Sequence, residues 1–197
     1  MGGAQDREQR RVADDLRSVK GEAVREAVEA GVTVLAVCGG YQLFGRFYRE
    51  ASGAKLAGLG VFDLWTEHPG PGTRRLIGNV VAELCLEPGE GPTGGTLVGF
   101  ENHGGRTYLG PGARPLARVR SGFGNNGRDG TEGARYQNAF GTYLHGSLLP
   151  KNPRFADRLI ELALARRYGD GVRLEPLDDR LEELAHRAAL RLVGRRR

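Results

Sequence analysis

"VTVLAVCGGYQLFG", residues 32–45, decides how this chain is read. Val32 to Val37 form an unbroken apolar run. Such a run suits a strand buried on both faces, as in a parallel sheet. Two glycines follow Cys38, and residues 41–51 read as a helix. A strand that stops at a cysteine, turns through glycine and enters a helix is an elbow that projects the side chain out of the sheet. The helix start behind it favours a thiolate and offers N–H groups to a developing oxyanion. A free cysteine is more often a buried packing residue. The glycine pair and the flanking elements favour a nucleophile at Cys38. Cys85 lies within a strand-like run without glycines, so there the packing reading stands.

Outward from this stretch the pattern is α/β. Residues 5–30 carry apolar positions at helical spacing and read as one helix or two broken near Gly21, with Gly31 as C-cap. Strands are expected over 61–67, 76–86, 96–101, 116–121 and 135–143, separated by Gly/Pro/Asn clusters. Asn152 is placed to cap a helix with Pro153 in its first turn, running to Tyr168. A basic helix occupies 177–197. The 197 residues fit one domain over 1–197, with no internal linker or repeat.

The formal charge is +5, much of it in the last residues. No aromatic-interleaved basic stripe accompanies it, so a nucleic-acid partner is not expected, and a solvated helix end is the plainer reading. No apolar run approaches a membrane span, and the N-terminus lacks the apolar core of a signal peptide. A cytoplasmic protein with two free thiols is expected. No CxxC pair suggests zinc.

A cysteine nucleophile needs a base. Of four histidines, His68 sits in a Gly/Pro loop and His186 in the last helix. His103 in "GFENHGGRT" and His145 in "FGTYLHG" sit at strand ends beside glycine, where a side chain meets a cleft.

These segments resemble a known family. "AVCGGYQLFG" is similar to the G/V-x-C-x-G-x-Q motif of class I glutamine amidotransferases. "ENHGGRT" with "GTYLHG" resembles the CobB/CobQ-type branch. Within it the likeness, over residues 2–168, is to the glutaminase subunits that serve lipid II amidation. The resemblance implies a flavodoxin-like sheet with flanking helices. It also implies a chain that is short at its front and lacks the family's N-terminal strands. It implies Cys38 as the nucleophile and His145 as base and then acid. Gln42 and Arg75 would hold L-glutamine, with Arg74 the alternative for the arginine. The amides of Gly3 and Gly39 would line the oxyanion hole. The family's triad acid falls at Ser147, so a Cys38–His145 dyad is expected, with any orienting acid from elsewhere, such as the partner.

The partner so implied is a MurT-like Mur ligase in a heterodimer. It would use ATP and Mg²⁺ to amidate the D-glutamate α-carboxylate of lipid II, which would bring the complex to the inner membrane face. No cofactor is expected in this chain, which contains no GxxxxGKS or GxxxxGKT stretch. The alternatives are amidation of a corrinoid precursor, and a catalytically dead module of the same fold.

Overall fold

The computed structural model describes residues 1–2, 6–85, 95–169 and 171–193. Elements alternate early and strands dominate later. α1 (Asp6–Asp15) leads through a π-helical turn, Leu16–Lys20, into α2 (Gly21–Glu29). The expected break at Gly21 is therefore a change of winding within a continuous helical run. A Cβ at Gly21 would lie 2.2 Å from the Leu16 carbonyl oxygen. Gly31 closes the run in the left-handed region, φ 77°, as its position after Ala30 suggested.

β1 (Val34–Val37) follows, then α3 (Gly39–Phe44), β2 (Phe47–Arg49), β3 (Lys55–Ala57), β4 (Leu64–Glu67) and β5 (Leu76–Leu84). β6 (Thr96–His103), β7 (Arg106–Leu109), β8 (Ala117–Ser121), β9 (Thr131–Glu132), β10 (Ala134–Tyr136) and β11 (Ala139–Thr142) complete the strands. α4 (Leu148–Lys151), α5 (Pro153–Tyr168) and α6 (Arg180–Val193) close the chain.

The helix expected over 41–51 is shorter than its apolar spacing implied. Gly45 is extended, and a Cβ there would sit 2.2 Å from a Leu64 methyl, so backbone and side chain meet too closely for another turn. The freed segment becomes β2. The single strand expected over 135–143 is a hairpin, β10–β11, turned at Gln137 with φ 48°. Asn152 was expected to cap α5 through its side chain. That side chain instead crosses to β6, where Oδ1 accepts from the Val98 amide at 2.9 Å and Nδ2 donates to the Val98 carbonyl at 2.8 Å.

Among the described residues three sheets result, with strand orders β1-β11-β10, β3-β2-β4-β7 and β6-β5-β8-β9. β1 and β11 run parallel, Val34 facing Ala139 and Val37 facing Thr142. On the opposite edge of β1, the Met1 ammonium donates to the Leu35 carbonyl and the Val37 amide to the Met1 carbonyl, each at 2.8 Å. One core packs Tyr41, Phe44, Phe62 and Leu64 against Ala36 and Ala139. The other packs Leu97, Leu116, Phe140, Leu144 and Phe155. Residues 139–144 contribute to both cores, so the segment leading to His145 is held from two sides.

Candidate active site

The β1–β11 pair builds the site. Strands in parallel register finish at the same end of a sheet, and here the two ends lead to Cys38 and His145. The Cys38 amide continues the ladder, donating to the Thr142 carbonyl at 2.9 Å. Immediately after that bond the chain turns. Cys38 has φ 52° and ψ −110°, a conformation costly for a residue with a Cβ and found at strained functional turns. The sequence reading of residues 32–45 as strand, turn and helix is thus realised, with the strain placed on the cysteine itself.

The glycines after Cys38 have separate jobs. The Gly39 amide hydrogen-bonds the thiol and pulls its pKa down, as does the charge of Arg75; burial outweighs both and leaves it above the ordinary thiol value. The Gly40 amide donates to the Gly2 carbonyl at 3.2 Å. A Cβ on Gly40 would approach the Met1 carbonyl oxygen to 2.7 Å, so only glycine lets residues 1–2 pass. Gly3, the expected second oxyanion donor, lies outside the described residues.

His145 is reached by an extended segment whose amide donates to the Phe100 carbonyl at 2.8 Å. Its Nε2 is buried and meets no hydrogen-bond partner among the described residues. Burial pushes its pKa below the ordinary histidine value. The charges of His103 and Arg75 add to that, and a backbone hydrogen bond at Asn102 opposes it. A neutral imidazole is the form a general base needs. Ser147, at the position of the family's acid, adopts a left-handed conformation at φ 55°.

Arg75 is an exposed cation whose guanidinium is held in place. Its Nε donates to Asn102 Oδ1 at 2.8 Å and its Nη2 to the Asn102 carbonyl at 2.9 Å. Its charge acts on both Cys38 and His145. Arg74 takes part through its carbonyl, which accepts from the Arg106 guanidinium at 2.8 Å.

The "ENHGGRT" segment, 101–107, acquires a physical explanation here. Glu101 accepts from the amides of Phe123 and Gly124 at 2.7 and 2.9 Å. Asn102 anchors Arg75. His103 stacks on Tyr143, centroids 3.6 Å apart, and its Nε2 lies 3.5 Å from Glu101. A Cβ at Gly104 would meet the His68 ring at 2.8 Å and Arg75 at 3.4 Å. One at Gly105 would meet Thr66 at 2.6 Å and the Gln42 amide at 2.8 Å. Thr107 shares hydrogen bonds of 2.7 Å with Thr66 and with the Tyr143 hydroxyl.

Gln42 stands in this polar wall. It is 4% exposed, donates to the Tyr143 hydroxyl at 3.0 Å and accepts from Gln9 at 2.6 Å. His103, the other strand-end histidine, is buried in the same wall. His186 is elsewhere, between Thr96 and the Lys151 carbonyl. Cys85, expected within a strand, instead lies just past the end of β5; it is half-buried and has its pKa raised by burial. Sequence reasoning missed Asn102, Tyr143 and Glu132. Asn102 and Tyr143 lie inside the quoted motifs, where only their neighbours carried an evident chemistry. Glu132 sits in a two-residue strand too short to show any periodicity. Among the described residues no group of three His, Cys, Asp or Glu side chains gathers as a metal-ligand set.

A parallel strand pair that leads to a strained cysteine elbow on one strand and a half-buried histidine on the other, with the charge of one arginine acting on both, has the parts that thiol-dependent acyl transfer requires. A family model for the CobB/CobQ-like glutamine amidotransferase domain matches residues 1–153, and the chain belongs to that family. It is 44% identical over 176 residues to the lipid II isoglutaminyl synthase (glutamine-hydrolyzing) subunit GatD of Staphylococcus aureus, which covers 89% of this chain and 66% of that one. The GatD subunit of Streptococcus pneumoniae is 40% identical over 183 residues, 93% of this chain and 67% of that one. The chain therefore spans about two thirds of the length of these relatives. A crystal structure of a glutamine amidotransferase shares the fold at a TM-score of 0.53 and 20% identity, covering 82% of this chain and 76% of that one. No helix among the described residues is long and apolar enough to cross a membrane.

Proposed function

We propose that this chain is the glutamine-hydrolysing subunit of an amidotransferase that makes isoglutamine in lipid II. The observation that carries the reading is the β1–β11 register, which leads to the strained Cys38 and to His145, whose Nε2 has no hydrogen-bond partner among the described residues, at one end of one strand pair. His145 takes the thiol proton as Cys38 Sγ attacks the side-chain amide carbon of L-glutamine. The oxyanion forms beside the Gly39 amide, with Gly3 as second donor. His145 then protonates the departing ammonia, leaving a γ-glutamyl thioester. Water, deprotonated by His145, hydrolyses it to glutamate and regenerates the thiol. Arg75 binds the substrate carboxylate, for which a guanidinium fork is suited, and Gln42 walls the pocket.

Ammonia passes to a MurT-like ligase subunit that activates the D-glutamate α-carboxylate with ATP and Mg²⁺. An acid to orient His145, absent at Ser147, would come from that partner. The GatD likeness over 89% of the chain supports lipid II as the destination. A cobyric acid synthase of Pelotomaculum thermopropionicum, 38% identical over 63% of the chain, keeps corrinoid amidation as the second reading. The ligase that co-purifies with the chain separates the two. Glutamate release from glutamine, measured with that ligase present, tests the chemistry. Cys38→Ala is expected to lower kcat by at least about 10³-fold, as loss of a nucleophile does; turnover retained in that variant would refute the assignment.

A further inference from the structure

Glu132 is fully buried and takes no part in the chemistry above. It is supplied by β9, and its Oε1 accepts from the Thr142 hydroxyl and, at 3.0 Å, from the Tyr143 amide. The Thr142 hydroxyl oxygen accepts in turn from the Leu144 amide at 3.0 Å. β11 ends at Thr142, so the next amides have left the ladder and need other partners. Tyr143 finds Glu132, Leu144 finds Thr142, and His145 finds the Phe100 carbonyl. The Thr142 carbonyl meanwhile receives the Cys38 amide. One carboxylate thus organises the junction from which both the nucleophile and the base are hung.

A plain structural acceptor would not need to be an acid. An amide or hydroxyl could accept both hydrogen bonds without the cost of burying a carboxyl. Here the second oxygen, Oε2, has no hydrogen-bond partner among the described residues. Glu101 of β6 adds like charge, while Tyr41 of α3 and Tyr143 are the buried phenols nearby; Asp129 and His103 complete the titratable surroundings through Tyr41 and Tyr143. Desolvation first, and Glu101 after it, raise the Glu132 pKa to about 7 against the hydrogen bonds from Thr142 and Tyr143 and the weaker pull of the Gly133 amide.

We propose that Glu132 is a positioning residue for glutamine hydrolysis, fixing residues 142–145 so that the His145 imidazole meets the Cys38 thiol in reactive geometry. The proposal rests on the reading of Cys38 and His145 as nucleophile and base. A charge-assisted acceptor holds its donors more strongly than a neutral one, so ionisation of Glu132 tightens the junction and turnover rises with pH through neutrality.

The test is steady-state glutamate release by the full chain together with its ligase subunit, from pH 5.5 to 9, for Glu132→Gln, Glu132→Ala and the control His145→Ala. Glu132→Ala is expected to lose about 30-fold in kcat with KM changed less than about 3-fold, since a small misplacement of a catalytic group costs rate rather than binding. Glu132→Gln keeps the acceptor oxygen and is expected to recover kcat to within about 5-fold, without the inflection near pH 7. A folded Glu132→Ala with wild-type kcat overturns the proposal. So does a Glu132→Gln pH profile that superimposes on the wild type, and this readout decides the matter where the alanine variant does not fold. If His145→Ala turns over normally, the underlying assignment fails instead; if it is inactive while both Glu132 variants behave as wild type, only the positioning role fails.

Discussion

Cys38 and Arg75 carry complementary burdens at the scale of single residues. The cysteine holds its backbone at φ 52°, a strain of order 1–3 kcal/mol that surrounding structure must offset. The Thr142 carbonyl on one side and the Met1–Gly2 segment on the other hold it there. Arg75 is exposed yet held by two hydrogen bonds to Asn102, so under the proposed function its fork is pre-organised for a carboxylate. Arg75→Ala is expected to raise KM for glutamine about 30-fold while kcat falls less than about 3-fold, the pattern of lost ground-state binding to a charged group. Steady-state kinetics of glutamate release check it. Arg74→Ala is expected to leave both constants near wild type. Which of these neighbours meets Asn102 was not legible in "RRLIGN", because adjacent residues of one type differ only in the direction the folded backbone gives them.

Elements tell a second story. The strand–glycine–helix reading of residues 32–45 held because it rests on local steric demands. The length of the helix after it did not, because Gly45 is extended by contact with Leu64, a residue of β4 that lies outside the helical stretch and is invisible to its periodicity. Asn152 was legible as a helix-start residue by type and position. Its side chain joins α4, α5 and β6 instead, donating also to the Leu148 carbonyl at 2.7 Å. Asn152→Ala would leave the Val98 amide and carbonyl without these partners in a buried setting. A loss of about 2–4 kcal/mol is expected, read as a lower denaturation midpoint with the guanidinium dependence of unfolding unchanged in slope. The motif 101–107 was legible as a signature but not as a mechanism. Its glycines answer to His68, Arg75, Thr66 and Gln42, which arrive from other strands.

The whole molecule places the junction that leads to His145 between two cores and a buried acid. That arrangement has a pH signature in stability. Glu132 is raised in the fold from 4.5 to about 7. Below pH 4.5 it is protonated in both folded and unfolded chains and contributes nothing to the pH dependence. Between pH 4.5 and 7 the unfolded chain releases the proton and the folded chain keeps it, so stability falls as pH rises, and it levels off above 7. The drop is of order 3 kcal/mol for this group. Glu132→Gln is expected to remove that slope, seen as the difference between wild-type and variant unfolding free energies across the window. Sequence showed the α/β class and the parallel pair's first strand. It did not show three sheets, because pairing partners such as β2 with β4 depend on contacts between segments whose local patterns are alike.

The central claim, that Cys38 is the nucleophile that glutamine meets, is tested most directly by labelling with a glutamine-like electrophile, followed by mass mapping of the two thiols. The expected result is stoichiometric modification of Cys38, at least about 100-fold faster than that of Cys85 and suppressed by L-glutamine. Equal labelling of both cysteines, or labelling of Cys38 that glutamine does not suppress, would contradict it.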